Sequence, residues 1–191
     1  MNIIQIGTHT GNDEVYKLIC ENYNSIEKCL LVDINNTSLN KARDKYSNFD
    51  FVEIQNIGVL PIDVEDKITF FSPKIDKESE YCGLSKNHII AHQSNHGGLD
   101  SFSVPCKSLS SLLKENPRTT HLFIDTEGLD ALILFSVNWN EFSVKEIVFE
   151  FIHTDGILKS GNRLQALAFY LGKFGYRLSK HGAWNLKAVK Q

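Results

Sequence analysis

Ile3-Ile4-Gln5-Ile6-Gly7-Thr8-His9-Thr10-Gly11-Asn12 opens the chain with a short apolar run followed by a polar turn that has a glycine at each end. A brief apolar run closed by glycine has the pattern of a buried strand. The two glycines let the backbone bend sharply and come close to a ligand. Asp13 and Glu14 then stand in the first turn of a helix carrying Val15, Leu18 and Ile19, where the helix dipole favours acids. The free N–H groups of such a helix start suit an anionic group. The spacing is Gly-x-x-x-Gly and not the Gly-x-Gly-x-x-Gly of the dinucleotide fingerprint. Taken alone, it reads equally well as a tight strand-to-helix turn.

The same alternation continues along the chain. Leu30-Leu31-Val32 forms a second apolar run ending at Asp33, and Asn36-Thr37-Ser38 is placed to cap a helix carrying Leu39, Ala42 and Tyr46. Phe51-Val52-Glu53-Ile54 reads as a third strand, leading into Asn56-Ile57-Gly58-Val59. Ile68-Thr69-Phe70-Phe71 is expected to pair with residues 57–60 as a hairpin. From about 72 to 101 the chain is polar and irregular, as functional loops of this length tend to be. Regularity returns with strand-like Phe102 to Cys106, a helix through Leu109, Leu112 and Leu113, and the strand His121-Leu122-Phe123-Ile124 ending at Asp125. A helix through Leu129, Leu132, Ile133 and Phe135 follows, then Ile147-Val148-Phe149 ending at Glu150. A helix through Leu164, Leu167, Ala168 and Leu171 and strands at 176–178 and 183–189 complete the chain. Short apolar strands between amphipathic helices predict a mainly parallel sheet covered on both faces. Ligands of such sheets bind beyond the carboxyl ends of the strands, here marked by Gly7, Asp33, Asn56, Asp125 and Glu150.

Composition narrows the function classes. Of 191 residues, 42% are hydrophobic and 23% charged, an ordinary globular balance with one domain over 1–191 as the expectation. The net charge of −3 gives no overall attraction to nucleic acid or to an anionic membrane surface, and neither is an expected partner. No apolar run is long enough to span a bilayer. The start of the chain lacks the basic and apolar stretches of a signal peptide. Four scattered cysteines, Cys20, Cys29, Cys82 and Cys106, fit a reducing cytoplasm better than a disulfide framework.

Two acidic positions carry most of the chemistry. A carboxylate at Asp33 can accept both hydroxyls of a ribose, a reading favoured over a helix cap by its distance from the glycine turn. Ile124-Asp125-Thr126-Glu127-Gly128 sets two acids just past the strongest strand. By composition alone they read as a cap with a first-turn acid.

In order, these motifs resemble the FkbM-type S-adenosylmethionine-dependent methyltransferase family. The resemblance runs through Gln5-Ile6-Gly7-Thr8-His9-Thr10-Gly11, Val32-Asp33, Asn56-Ile57-Gly58-Val59, Val104-Pro105-Cys106-Lys107-Ser108-Leu109, Ile124-Asp125-Thr126-Glu127-Gly128 and Val148-Phe149-Glu150, from about residue 3 to residue 155. It implies an α/β, Rossmann-like class I methyltransferase with a mixed seven-stranded sheet, helices on both faces and a final antiparallel strand. It also implies S-adenosyl-L-methionine as cofactor and O-methylation of a small-metabolite or saccharide hydroxyl. The cofactor-binding set would be Gln5, Gly7, Thr8, His9, Gly11 and Asn12 around the methionine part. Asp33 with Ile34 would hold the ribose, Asn56, Ile57 and Gly58 would lie near the adenine, and Asp125 would complete the set. In this sequence Gln5 replaces the family's first acid, so a contact to the cofactor's amino group would be neutral. With strand one at its start, the sequence is expected to lack the N-terminal helices that often cover such sites. A partner subunit, as in a homodimer, the 72–101 segment, or nothing would serve as lid.

Methyl transfer to an alcohol calls for a base or a metal. The candidate catalytic residues are Asp125, Glu127, Glu150 and His153. Asp125 and Glu150, at the ends of strands expected to be neighbours, could share a divalent cation. His153 reads otherwise as a solvated loop histidine. His88, His92 and His96 recur at helical spacing near Cys82, which is compatible with zinc. A polar helix with exposed imidazoles is the plainer description, and no metal ligand is assigned. Tyr176 and Lys180 have the spacing of short-chain dehydrogenases but fall in a strand-like run, so the match reads as chance. Trp139 and Trp184 are expected to pack. Two rival functions are a non-catalytic S-adenosylmethionine-binding accessory protein and, opposed by the glycine spacing, an NAD-dependent oxidoreductase.

Overall fold

A computed structural model describes all 191 residues. Seven strands form one sheet: β1 (Asn2–Ile6), β2 (Lys28–Asp33), β3 (Val52–Asn56), β8 (His121–Ile124), β9 (Glu146–Glu150), β10 (Tyr176–His181) and β11 (Asn185–Lys190). Their order is β10-β11-β9-β8-β1-β2-β3. β3, β2, β1, β8 and β9 run parallel, and β11 is antiparallel to both of its neighbours. The fold is therefore the expected α/β one with a mixed seven-stranded sheet.

Strand periodicity explains the two cores. Ile3, Cys29, Leu31, Phe123 and Val148 face one side and pack with Val15 and Ile19 of α1 (Glu14–Glu21) and Leu39, Ala42 and Tyr46 of α2 (Asn36–Tyr46). Alternate residues Ile4, Ile6, Leu30, Val32, Leu122, Ile124, Ile147 and Phe149 face the other side. They meet Leu109, Leu112 and Leu113 of α4 (Leu109–Glu115), Ile133 and Leu134 of α5 (Asp130–Phe135) and Leu167 and Leu171 of α6 (Asn162–Gly172). With both faces covered, the central strands β1, β2, β8 and β9 are apolar at consecutive positions, which is why these segments read as continuous runs. Trp139 is fully buried in this second core, its Nε1 donating to the Leu134 carbonyl. No helix is long and apolar enough to cross a membrane.

Several local expectations are corrected. The 57–60 and 68–71 segments do not pair with each other. β4 (Gly58–Leu60) pairs in parallel with β7 (Cys106–Ser108), and β5 (Ile68–Pro73) pairs antiparallel with β6 (Leu99–Val104). Pairing partners distant in sequence thus displaced the local hairpin, burying Leu60, Phe70, Val104 and Cys106 together. The 72–101 stretch is not wholly irregular: it contributes strand ends and α3 (Lys86–His92), whose Ser85 cap accepts from the His88 N–H. α2 is capped by Asn35, which accepts from Thr37 and Ser38 N–H, rather than by residues 36–38. Asp13 is the N-cap of α1 and not part of its first turn. Trp184, at the turn between β10 and β11, is 63% exposed and does not pack as expected. Tyr176 donates its hydroxyl to the Val144 carbonyl from inside the core, far from any role as a dehydrogenase pair with Lys180.

Candidate active site

The parallel strands all end on one side of the sheet, so Gly7, Asp33, Asn56 and Asp125 emerge side by side: Ile6 is in register with Val32 and Ile124, and Asp33 with Asn56. Above these ends lies a cleft of about 620 Å³, within the range of small-ligand pockets. Gln5, Gly7, Thr8, His9, Asn12, Asp33, Ile34, Ile57, Asp125, Glu127 and His153 line it, as the sequence reading requires of a shared site. Gly11, Asn56, Gly58 and Glu150 do not line it, and three of these have other duties. A Cβ on Gly11 would lie 2.5 Å from the Tyr46 ring, and one on Gly58 would lie 2.7 Å from Cys106 Sγ. Both glycines are kept small by packing. Asn56 donates to the Asp33 and Ile34 carbonyls at 2.9 Å, fixing the loop after β2 instead of facing the cleft.

The glycine turn is shaped by its neighbours. Gly7 has φ +83°, and an added Cβ would lie 1.7 Å from the Asp125 carbonyl oxygen. His9 continues the turn in the left-handed region at φ 51°, unusual for a side-chain-bearing residue. Its N–H donates to Asp33 Oδ2 at 2.7 Å, while Asn35 N–H donates to Asp33 Oδ1 at 2.7 Å. Asp33 is therefore not the helix cap. It ties the glycine turn to the loop after β2 and retains a free lone pair on each oxygen. Burial raises its carboxyl above the usual range, opposed by these N–H donors. The ring of His9 meets the Glu78 carbonyl, and Asn35 Nδ2 donates to the Lys77 carbonyl at 3.0 Å, so the 77–82 segment is fastened over this end of the cleft. Ser79, Glu80 and Cys82 of that segment line the cavity.

Gln5 has a partner that sequence reasoning missed. Its Nε2 donates to Asp13 Oδ2 at 2.6 Å, while Asp13 Oδ1 caps α1. A carboxylate consequently stands beside the glycine turn although position 5 is neutral. Gln5 Oε1 and Thr8 Oγ1 are buried with no hydrogen-bond partner, and such groups are costly unless something satisfies them. The cue lay in the sequence: an acid immediately before a helix is a cap candidate and points back toward the strand end.

At the far end of the cleft, acids and histidines gather. Asp125 is exposed to the cleft, yet desolvation at the strand end, followed by the charges of Asp130 and Glu127, holds its carboxyl above the usual range. Asp130 accepts from Thr126 N–H and Oγ1 at 3.2 and 2.7 Å, and burial pushes it up to about 6. The α5 cap, Leu129, makes no side-chain bond, so Asp125 and Glu127 are not the cap and first-turn acid that composition suggests. Glu127 stands in the left-handed region at φ 53° and accepts from His88 Nε2 at 2.7 Å. Glu150 is buried, and its carboxyl is pushed up to about 9 by burial and then by Asp125 and Glu127. His153 is 4% exposed, which corrects the solvated-loop reading; burial lowers its pKa. Its Nδ1 accepts from Leu158 N–H at 2.9 Å. His88, also buried, corrects the expectation of exposed imidazoles, while His96 points elsewhere and accepts from Gly98 N–H.

No protein-family model matches this sequence, and no curated protein does. Solved structures do share the fold. The methyltransferase FkbM from Methylobacillus flagellatus KT is similar with a TM-score of 0.59 at 11% identity, over 98% of this chain and 43% of that one. The methyltransferase domain of bacterial CtHen1 is similar with a TM-score of 0.50 at 11% identity, over 98% of this chain and 88% of that one. The chain thus spans less than half the length of the FkbM structure. At this identity the likeness establishes the Rossmann-like α/β fold alone.

Proposed function

We propose that this protein is an S-adenosylmethionine-dependent methyltransferase acting on a hydroxyl of a small metabolite or saccharide. The observation that carries the reading is Asp33, half-buried at the tip of β2, with an acceptor lone pair left on each oxygen beside a glycine turn whose buried Gln5 Oε1 and Thr8 Oγ1 lack partners. A nucleoside with an amino-acid tail supplies donors of both kinds: two ribose hydroxyls for the carboxylate and an ammonium for Gln5 and Asp13. NAD has the ribose but not the ammonium, and the cleft does not present the glycine spacing that cradles a pyrophosphate.

When bound, S-adenosylmethionine supplies an electrophilic methyl on a sulfonium for in-line displacement, a reaction that needs chiefly alignment and exclusion of water. The chain's own groups would meet those needs as follows. The 77–82 segment closes one side of the cleft over the glycine turn. Asp125, exposed to the cleft just past the end of β8, is placed to take the acceptor's proton in its ionised form. Glu150, pushed up to about 9, is protonated at neutral pH while no cation is near, so it is not the base in that state. FkbM membership is part of the proposal and rests on the ordered motifs.

S-adenosylhomocysteine at about 100 times its Kd should stabilise the fold by about 2.7 kcal/mol, raising Tm by about 5–10 °C for a chain of this size. NAD should leave Tm unchanged; the reverse pattern would overturn the reading. Asp13→Asn keeps the α1 cap, for which Asn serves as well as Asp, but removes the charge beside Gln5. It should weaken S-adenosylhomocysteine about tenfold, the difference between a charge-assisted and a neutral hydrogen bond, with Tm of the free protein nearly unchanged. Calorimetric titration of both proteins checks this.

A further inference from the structure

Three segments far apart in sequence bring five ligand-bearing side chains together: His88 and His92 from α3, Glu127 from the loop after β8, and Glu150 and His153 at and beyond the end of β9. Ligand atoms of His88, His92 and His153 lie within 4.8 Å of one another, as do those of Glu127, Glu150 and His153. Glu127 Oε2 is 2.7 Å from His88 Nε2 and 3.9 Å from His153 Nε2, and Glu150 Oε2 is 3.8 Å from His153 Nε2. The two groups share His153 and are joined by the His88–Glu127 contact, so a cation beside His153 could draw ligands from both. A second observation is independent of spacing. Glu150 is more than nine-tenths buried, and its Oε2, 3.8 Å from His153 Nε2, has no hydrogen-bond partner; the buried Nε2 of His92 has none either. A buried carboxylate and imidazole left unpaired are costly, and a cation between them satisfies both.

We propose that His88, His92, His153, Glu127 and Glu150 form a binding site for one divalent first-row transition-metal ion. Three imidazoles and two carboxylates favour zinc, manganese or iron(II) over magnesium and calcium, which prefer all-oxygen shells. Cys82 is not a ligand, because its Sγ is held by Asn35 Nδ2 and the Ser79 carbonyl away from the cluster. Binding requires one internal change. His153 Nδ1 accepts from Leu158 N–H, so the neutral ring carries its proton on Nε2. Ligation through Nε2 moves that proton to Nδ1 and turns the Leu158 N–H away, which a residue 68% exposed in a left-handed turn can accommodate. His88, Glu127 and His153 line the cleft, so an open coordination position would face an acceptor oxygen, a consequence that rests on the methyl-transfer reading.

The test is direct metal binding. Chelator-treated protein is titrated with Zn²⁺, Mn²⁺ and Co²⁺ by calorimetry, with Co²⁺ absorption followed in the visible. One ion per chain is expected, with ligand-field bands, no thiolate charge-transfer band, and no competition from tenfold excess Mg²⁺. His88→Ala and Glu150→Gln should each weaken binding at least tenfold, and His96→Ala should not. Absence of stoichiometric binding, a thiolate band, or equal binding by both cluster variants would overturn the site. Should one variant fail to fold by thermal melt, the other and the wild-type Co²⁺ spectrum still decide. S-adenosylhomocysteine titrations of the same samples separate the two ideas: metal binding without nucleoside binding sinks the methyltransferase reading and leaves the site, and the converse sinks the site alone.

Discussion

Asp33→Ala is expected to weaken S-adenosylhomocysteine binding by about two orders of magnitude. Two hydrogen bonds to a charged acceptor are lost, each worth about 1.5–3 kcal/mol, and a net loss of about 3 kcal/mol corresponds to roughly 100-fold in Kd. The same carboxylate receives the His9 and Asn35 N–H groups, so the variant also leaves two donors unpaired, and its Tm should fall. The binding loss must therefore be measured well below the melting transition, by calorimetry on protein confirmed to be folded. Asp33→Asn separates the two effects. It preserves size and one carbonyl acceptor, keeping part of the loop anchoring, but turns an NH₂ donor toward groups that themselves donate. Its Tm should recover more than its affinity does. An affinity unchanged in Asp33→Ala would end the ribose assignment, and the proposed cofactor with it.

Gly7→Ala should destabilise the protein by about 4 kcal/mol, combining about 1–2 kcal/mol for forcing a side chain into the left-handed region with about 1–3 kcal/mol for overpacking. The added methyl meets a backbone carbonyl at 1.7 Å, not the movable end of a side chain. Relief by displacement is costly because the turn is sewn to both neighbours: Gly7 N–H donates to the Val32 carbonyl and Asp125 N–H to that of Ile6, each at 2.9 Å. For a chain of this size the Tm should drop by about 10 °C. Gly175→Ala is the matched control, with φ +84° but no atom within 4 Å of the added Cβ. It should cost only the conformational part, about 1 kcal/mol. Equal losses at the two positions would mean that the close approach of the β1 and β8 tips contributes nothing.

The parallel sheet was legible because its information is local. Ile3, Ile4, Leu30, Leu31, Leu122 and Phe123 are apolar on both faces of their strands, and a strand covered on both sides has no other composition available. Asp33 and Asp125 were legible for a related reason: a parallel sheet gathers strand ends on one side, so polar residues closing apolar runs become neighbours whatever the intervening helices do. The hairpin expected between 57–60 and 68–71 failed because adjacency in sequence is a weak guide when better partners, β7 and β6, lie elsewhere in the fold. Trp184 was expected to pack because its apolar neighbours suggested it, whereas a hairpin tip carries even a large ring into solvent.

By itself, then, the sequence determined the strand positions, the glycine turn and the acids at the strand tips, since each depends on a few consecutive residues and the handedness and periodicity of the backbone. Only the tertiary structure decided which side chains share an environment: that Asp13 lends its charge to Gln5, that Gly11 and Gly58 serve packing, and that α3 lays His88 and His92 against Glu127 and His153. Those pairings depend on where long connections return after crossing the sheet, which no stretch of consecutive residues specifies.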